Sequence, residues 1–360
     1  MRNRVKRGAA LLLAAGLAAG MIGCARQAEE TSPTQTQPEA APQESAVTQP
    51  ERELVTLSLC EVTHSVFYAP QYAAMALGFF EEEGIALELT NGGGADKVMT
   101  AVLSGGAEIG LAGPEAAIYV WNEGRADPCV VFAQLTKRDG AFLVGRTPDD
   151  DFSWEKLAGS YLIGGRAGGV PLMTLEYLLR SKGLTPNVDL TVDSSIQFNM
   201  MAGAFTGGTG DYVALFEPTA SQVAMQGQGY ILASIGAEAG EVPYTAYFAA
   251  KSFLESHPDL TRRFARAVAR GQEWVKEHSA AEIAAVIEPF FPDSDLDLLT
   301  AATQRHKEID AWNDTPVMKQ SAFDRLQDIM EQAGELEQRV PFEEVVDNSF
   351  AEAAAGAVKA

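Results

Sequence analysis

The sequence predicts a two-lobed α/β protein, and three observations carry that expectation. Strand-like runs alternate with helix-length segments from residue 54 to about residue 250, an order that gives mainly parallel sheets flanked by helices. Two such sets follow one another, and 360 residues suffice for about two cores. Beyond residue 250 the composition turns to helix formers, so the second lobe reads as an insertion between two parts of the first. The expected division is 54–143 with 247–360 for lobe one and its C-terminal helices, and 144–246 for lobe two.

Each element has its own local cause. Residues 54–59 are apolar and β-forming, hence a strand. The next helix, 69–77, has Pro70 in its first turn and Gly78 just past its end, the usual asymmetry of helix start and stop. Residues 79–84 turn the chain into a strand at 85–89. A helix over 95–103, a strand at 109–111 and a helix after Pro114 follow, then strands at 130–133 and 142–144. The second set reads strand 162–163, helix 172–179, strand 190–192, helix 198–205, and strands 212–216 and 231–233. Helical stretches then cover 259–278, 280–289, 295–310 and 317–333.

Composition excludes several classes. A hydrophobic fraction of 46% is that of a globular chain. With 27 Lys+Arg against 49 Asp+Glu, the formal charge of −22 argues against a nucleic-acid partner. Three cysteines and four histidines are too few for a disulfide scaffold and leave little for a zinc site. No H-E-x-x-H, G-x-S-x-G or C-x-x-C occurs, so neither a catalytic centre nor a metal is expected. No cofactor is implied. Cys60 and Cys129 read as buried small residues, with a disulfide between them left open.

The N-terminus begins Met1-Arg2-Asn3-Arg4-Val5-Lys6-Arg7 and continues as an apolar run over 8–23. That run is a secretory signal, since as a helix it rises about 24 Å and falls short of a roughly 30 Å bilayer core. Met21-Ile22-Gly23-Cys24 resembles the bacterial lipobox, which implies a lipidated Cys24 after removal of 1–23. Cleavage there takes four basic residues and no acid, making the remainder still more acidic. Residues 24–53 carry Pro33, Pro38, Pro42 and Pro50 without any hydrophobic period and read as a disordered tether.

Several segments then resemble one family in order. They are Tyr68-Ala69-Pro70-Gln71-Tyr72 running into Gly78-Phe79-Phe80, Gly92-Gly93-Gly94, Gly105-Gly106-Ala107-Glu108-Ile109-Gly110, Gly113-Pro114-Glu115, Gly210-Asp211-Tyr212 and Phe216-Glu217-Pro218. The chain resembles the substrate-binding lipoproteins of ABC importers of the thiamine-pyrimidine, sulfonate and nitrate type (NMT1/THI5-like and SsuA-like). The resemblance implies a type II periplasmic-binding-protein fold, with lobes closing on a small molecule that is passed to a permease and its ATPase. It implies a non-enzymatic monomer held outside the cytoplasm by its lipid. A thiamine pyrimidine precursor is the expected ligand. The alternatives are a sulfonate, nitrate or other small anion, and a pyrimidine-synthase-like enzyme on the same fold. Fungal synthases of that kind carry a cysteine-rich iron motif that is missing here.

Ligands of open α/β sheets sit beyond the carboxyl ends of the strands, which selects the candidate residues. Phe67 and Tyr68 can stack on a flat ligand, or Phe67 can staple its helix to the core. His64 can hydrogen-bond a ligand or face solvent. Gly93, Gly94 and Ala95 offer backbone N–H groups at a helix entrance, or form only a turn. Glu115 is an acceptor or simple helix-dipole compensation. Gly168 and Gly169, with Arg166, form a glycine-rich entrance suited to an anion, and Asn199 adds an amide. Tyr212 and Glu217 supply a ring and a carboxylate around the last cleft strand, Glu217 alternatively serving the hinge.

Overall fold

The computed structural model describes residues 54–358. The expected signal at 1–23, the lipidation site Cys24 and the tether at 24–53 lie outside the described residues.

Among the described residues, ten strands form two five-stranded sheets. The first contains β1 (Val55–Glu61), β2 (Ile85–Asn91), β3 (Ile109–Ala112), β4 (Cys129–Thr136) and β10 (Thr245–Ala250), in the order β2-β1-β3-β10-β4. The second contains β5 (Ala141–Gly145), β6 (Tyr161–Ile163), β7 (Thr191–Asp193), β8 (Tyr212–Phe216) and β9 (Tyr230–Ser234), in the order β7-β6-β8-β5-β9. In each, the first three strands run parallel and the fourth is antiparallel to both neighbours. That reversed strand, β10 or β5, is the one that enters its sheet directly after crossing from the other lobe. The strand at 142–144 thus pairs wholly within sheet two, and a lobe boundary at 143/144 would cut through it.

Packing follows the strand period. Along β5, Ala141 and Leu143 join a cluster with Leu162, Leu175 and Leu179, while Phe142 and Val144 join Ile163, Phe205 and Val213 on the opposite face. In lobe one, β4 is buried along all eight residues although it is an edge strand. The C-terminal region covers it: Gln134 N–H donates to the Pro316 carbonyl (2.7 Å) and Asp347 N–H to the Val131 carbonyl (2.8 Å). An open apolar edge of this kind would otherwise invite pairing with another chain.

The helix Pro258–Glu277 crosses the helix Ala69–Ala76, with Gly271 at the crossing, and its other side meets the helix Ser349–Val358. Phe264 on it packs edge-on against Phe132 and Tyr247 of the sheet. Among the described residues no helix is long and apolar enough to cross a membrane. Cys60 and Cys129 are both buried and unpaired.

Candidate functional site

The two sheets point the carboxyl ends of their parallel strands at each other. Loops after β1, β2 and β3 face loops after β6, β7 and β8 across a cleft. The chain passes between the lobes at 137–140 and 235–244, and Tyr244 of the second crossover reaches the cleft. The lobes touch. Arg166 Nη1 lies 2.9 Å from Asp96 Oδ1, Tyr119 donates to the Gly168 carbonyl (3.0 Å), and Ser65 Oγ donates to the Glu217 carbonyl (2.6 Å).

An inner cavity of about 30 Å³ lies between the lobes, walled by Tyr68, Glu115, Arg166, Gly169, Phe198, Phe216 and Tyr244 among others. Glu115 is its chemical centre. The side chain opens the helix Glu115–Asn122 and is only 2% exposed. Oε1 accepts a long bond from Val170 N–H of the opposite lobe (3.4 Å), and Oε2 has no partner. Burial pushes this carboxyl up to about 7, against the pull of the Val170 N–H and of Arg166. Gly113 leaves room for it, since a Cβ there would stand 1.9 Å from Oε2. The Arg166 Nε is likewise buried without a partner. Tyr68 and Tyr244 are fully buried, so both phenols stay protonated, their ionisation pushed far up by desolvation.

A wider groove of about 680 Å³ opens beside this cavity, lined by Gly93 and Lys97 from one lobe and Asn199, Phe216 and Glu217 from the other. Gly93 holds φ at +69°, which favours glycine, and its N–H donates to Asn91 Oδ1 (2.9 Å). His64 also lines it, but both ring nitrogens are engaged: Nδ1 with Glu61 Oε1 (2.9 Å) and Nε2 with the Phe290 carbonyl (2.7 Å). The hydrogen bond to Glu61 raises its pKa, and the ring stacks on Phe291 at 4.7 Å.

The expected residues therefore separate. Tyr68, Ala95, Glu115 and Gly169 line the inner cavity, and His64, Gly93, Asn199 and Glu217 the outer groove. Gly94 caps the helix Ala95–Leu103 between them. Gly168 faces a separate outer groove beside Tyr119. Two expectations are corrected. Phe67 is wholly buried among Tyr68, Phe216, Tyr244 and His306, so it staples the core and offers no face to a ligand. Tyr212 sits at the amino end of β8, about 13 Å of strand away from Phe216 at the cleft end.

Glu217 is in place, but its carboxylate is taken. Oε1 accepts from Arg305 Nε (2.7 Å) and Ser221 Oγ (3.0 Å), and Oε2 from Ser221 N–H (3.0 Å). Arg305 comes from the helix Leu296–Glu308, in a region the sequence marks only as helical scaffold. Tyr244, at the end of the second crossover, and Thr245, the first residue of β10, also line the cavity without any motif to announce them. No group of three or more acidic, histidine or cysteine side chains suited to a metal occurs among the described residues.

This architecture defines the class: two similar α/β lobes, crossed twice, with a ligand-sized cleft between their strand ends. The chain belongs to the NMT1/THI5-like family, whose model matches residues 66–282. It is 41% identical over 302 residues to YtlA, a candidate binding protein of Bacillus subtilis (strain 168), covering 84% of this chain and 90% of that one. The fold is shared with the periplasmic nitrate-binding protein NrtA from Synechocystis PCC 6803, at TM-score 0.70 and 15% identity over 85% of this chain and 90% of that one. It is also shared with the alkanesulfonate-binding protein SsuA from Xanthomonas axonopodis pv. citri, bound to MOPS. There the TM-score is 0.67 and the identity 13%, over 82% of this chain and 99% of that one.

Proposed function

We propose that this chain is the extracytoplasmic solute-binding component of an ABC importer, anchored by lipid at Cys24, that captures a small aromatic heterocycle and passes it to a permease. A thiamine pyrimidine precursor is the named candidate. One observation carries the ligand class: the buried Glu115 carboxyl, with one oxygen unpartnered, in a cavity walled by Tyr68, Phe198, Phe216 and Tyr244. A carboxyl oxygen in such a place calls for an N–H donor, and aromatic walls suit a flat ring. An aminopyrimidine supplies both. The lobes act as two bodies moving about the crossovers, and the ligand leaves chemically unchanged from a monomeric protein.

A small anion is the second reading, supported by the unpartnered Arg166 Nε and by the ligands named for NrtA and SsuA. The acceptor carboxyl of Glu115 in the same cavity opposes it. Thermal-shift measurements separate the two, because a ligand bound only by the folded state stabilises it by RT ln(1+[L]/Kd). Stabilisation by 4-amino-5-hydroxymethyl-2-methylpyrimidine and not by alkanesulfonates or nitrate is expected; the reverse pattern rejects the heterocycle. Conversion of the added pyrimidine to a product would instead mark an enzyme.

A further inference from the structure

The inner cavity admits little beyond a water-sized body, whereas the groove beside it offers about 680 Å³. The two share Val62, Thr63, Phe198 and Phe216, so a single ligand can span them as the lobes part. Their chemistry is opposite. The inner end presents an acceptor, Glu115. The outer end presents donors without partners: among the described residues, the Lys97 ammonium has no carboxylate, and the Gln197 and Asn199 amides have no side-chain hydrogen bond. The acids near them are already occupied. Glu217 is held by Arg305, and Asp96, beside Lys97 in sequence, by Arg166. His64 is turned to Glu61 and Phe290. In a chain of 49 acids and 27 bases, this groove is left with an uncompensated cation.

We propose that the ligand is bipartite: an aromatic, N–H-bearing head for the inner cavity, carrying an oxyanion substituent of the phosphate-ester type that Lys97, Gln197 and Asn199 receive in the outer groove. This rests on the heterocycle reading above and narrows it. A compact oxyanion accepts several donors at once, and a bond between charged partners is about twice as strong as a neutral one. The head selects the ring; the tail supplies salt-dependent affinity.

The test is calorimetric titration of the wild type and of Lys97→Ala with two probes, 4-amino-5-hydroxymethyl-2-methylpyrimidine and its phosphate monoester. Lys97 is exposed, so the variant should melt as the wild type does. The ester should bind the wild type about tenfold more tightly than the free alcohol. Lys97→Ala should erase that advantage and leave the alcohol unchanged, while Lys97→Arg retains it. Equal affinities for alcohol and ester, or an advantage that survives Lys97→Ala, overturns the bipartite ligand and leaves the heterocycle reading standing. If neither probe binds, both readings fall together. Inorganic phosphate binding more tightly than the ester also overturns the proposal, in favour of a small anion.

Discussion

At the residue scale, Glu115 has a consequence that can be measured without any ligand. Its carboxyl is pushed up to about 7 by burial, from an ordinary 4.5. Below 4.5 the group is protonated whether the chain is folded or not. Between 4.5 and 7 the unfolded chain ionises first, so stability falls across that window and levels off above it. Asp139 on the first crossover, also buried and pushed up to about 7, adds a loss of the same sign starting near 3.8. Glu115→Gln should therefore match the wild type near pH 4 and exceed it by up to about 3 kcal/mol at pH 8. Urea unfolding across this range checks it, and parallel pH curves for the two proteins would refute it. The Glu217 carboxylate, by contrast, is paired with Arg305. Arg305→Ala leaves that buried acid without its cation and should cost about 2 kcal/mol, discounted for the partial exposure of Arg305. A double-mutant cycle with Glu217→Ala should return a favourable coupling near 1 kcal/mol or more. The candidate residues that the sequence could identify were those on glycine-rich loops at strand ends. Tyr212 misled because residue type alone does not say which end of a strand faces the cleft. Arg305 and Tyr244 were illegible because they reach the site from far along the chain.

At the element scale, regular segments were readable wherever period and punctuation agreed. The helix Ala95–Leu103 and strand β8 have the bounds their patterns predict. Strand β1 runs on through Cys60 and Glu61, because Glu61 is buried by Tyr72, Gln71 and His64, which no local pattern reveals. β10 is not legible as a strand, since Thr245-Ala246-Tyr247-Phe248-Ala249-Ala250 lacks turn residues that set it apart from the helix after it. A short helix, Phe79–Glu82, forms where residues 79–84 read as a turn, and no local pattern announces the helix Ser349–Val358. That last helix matters to the fold because it helps cover β4. The crossing of Pro258–Glu277 over Ala69–Ala76 depends on Gly271, where a Cβ would stand 2.2 Å from the Pro70 carbonyl oxygen. Gly271→Ala gains helix propensity yet must push the helices apart, and should cost about 1–3 kcal/mol net. A thermal melt as high as the wild type's would contradict that crossing.

At the scale of the whole molecule, two lobes joined by two crossovers meet over a buried carboxyl. The acidity of the chain does not set the sign inside the cleft, where Arg166 and Arg305 neutralise Asp96 and Glu217 and Lys97 is left without a carboxylate among the described residues. Lobe contact in this structure joins Arg166 to Asp96 and Arg305 to Glu217, while Glu115 is reached from both lobes and keeps one oxygen open. The proposed function turns on this oxygen recognising an N–H donor on a flat ligand. Calorimetric titration of 4-amino-5-hydroxymethyl-2-methylpyrimidine into the wild type and into Glu115→Ala tests it most directly. A saturable one-to-one isotherm for the wild type, weakened about tenfold or more in Glu115→Ala, is the predicted result. An isotherm unaffected by Glu115→Ala, or one given by ethanesulfonate and not by the pyrimidine, would contradict it.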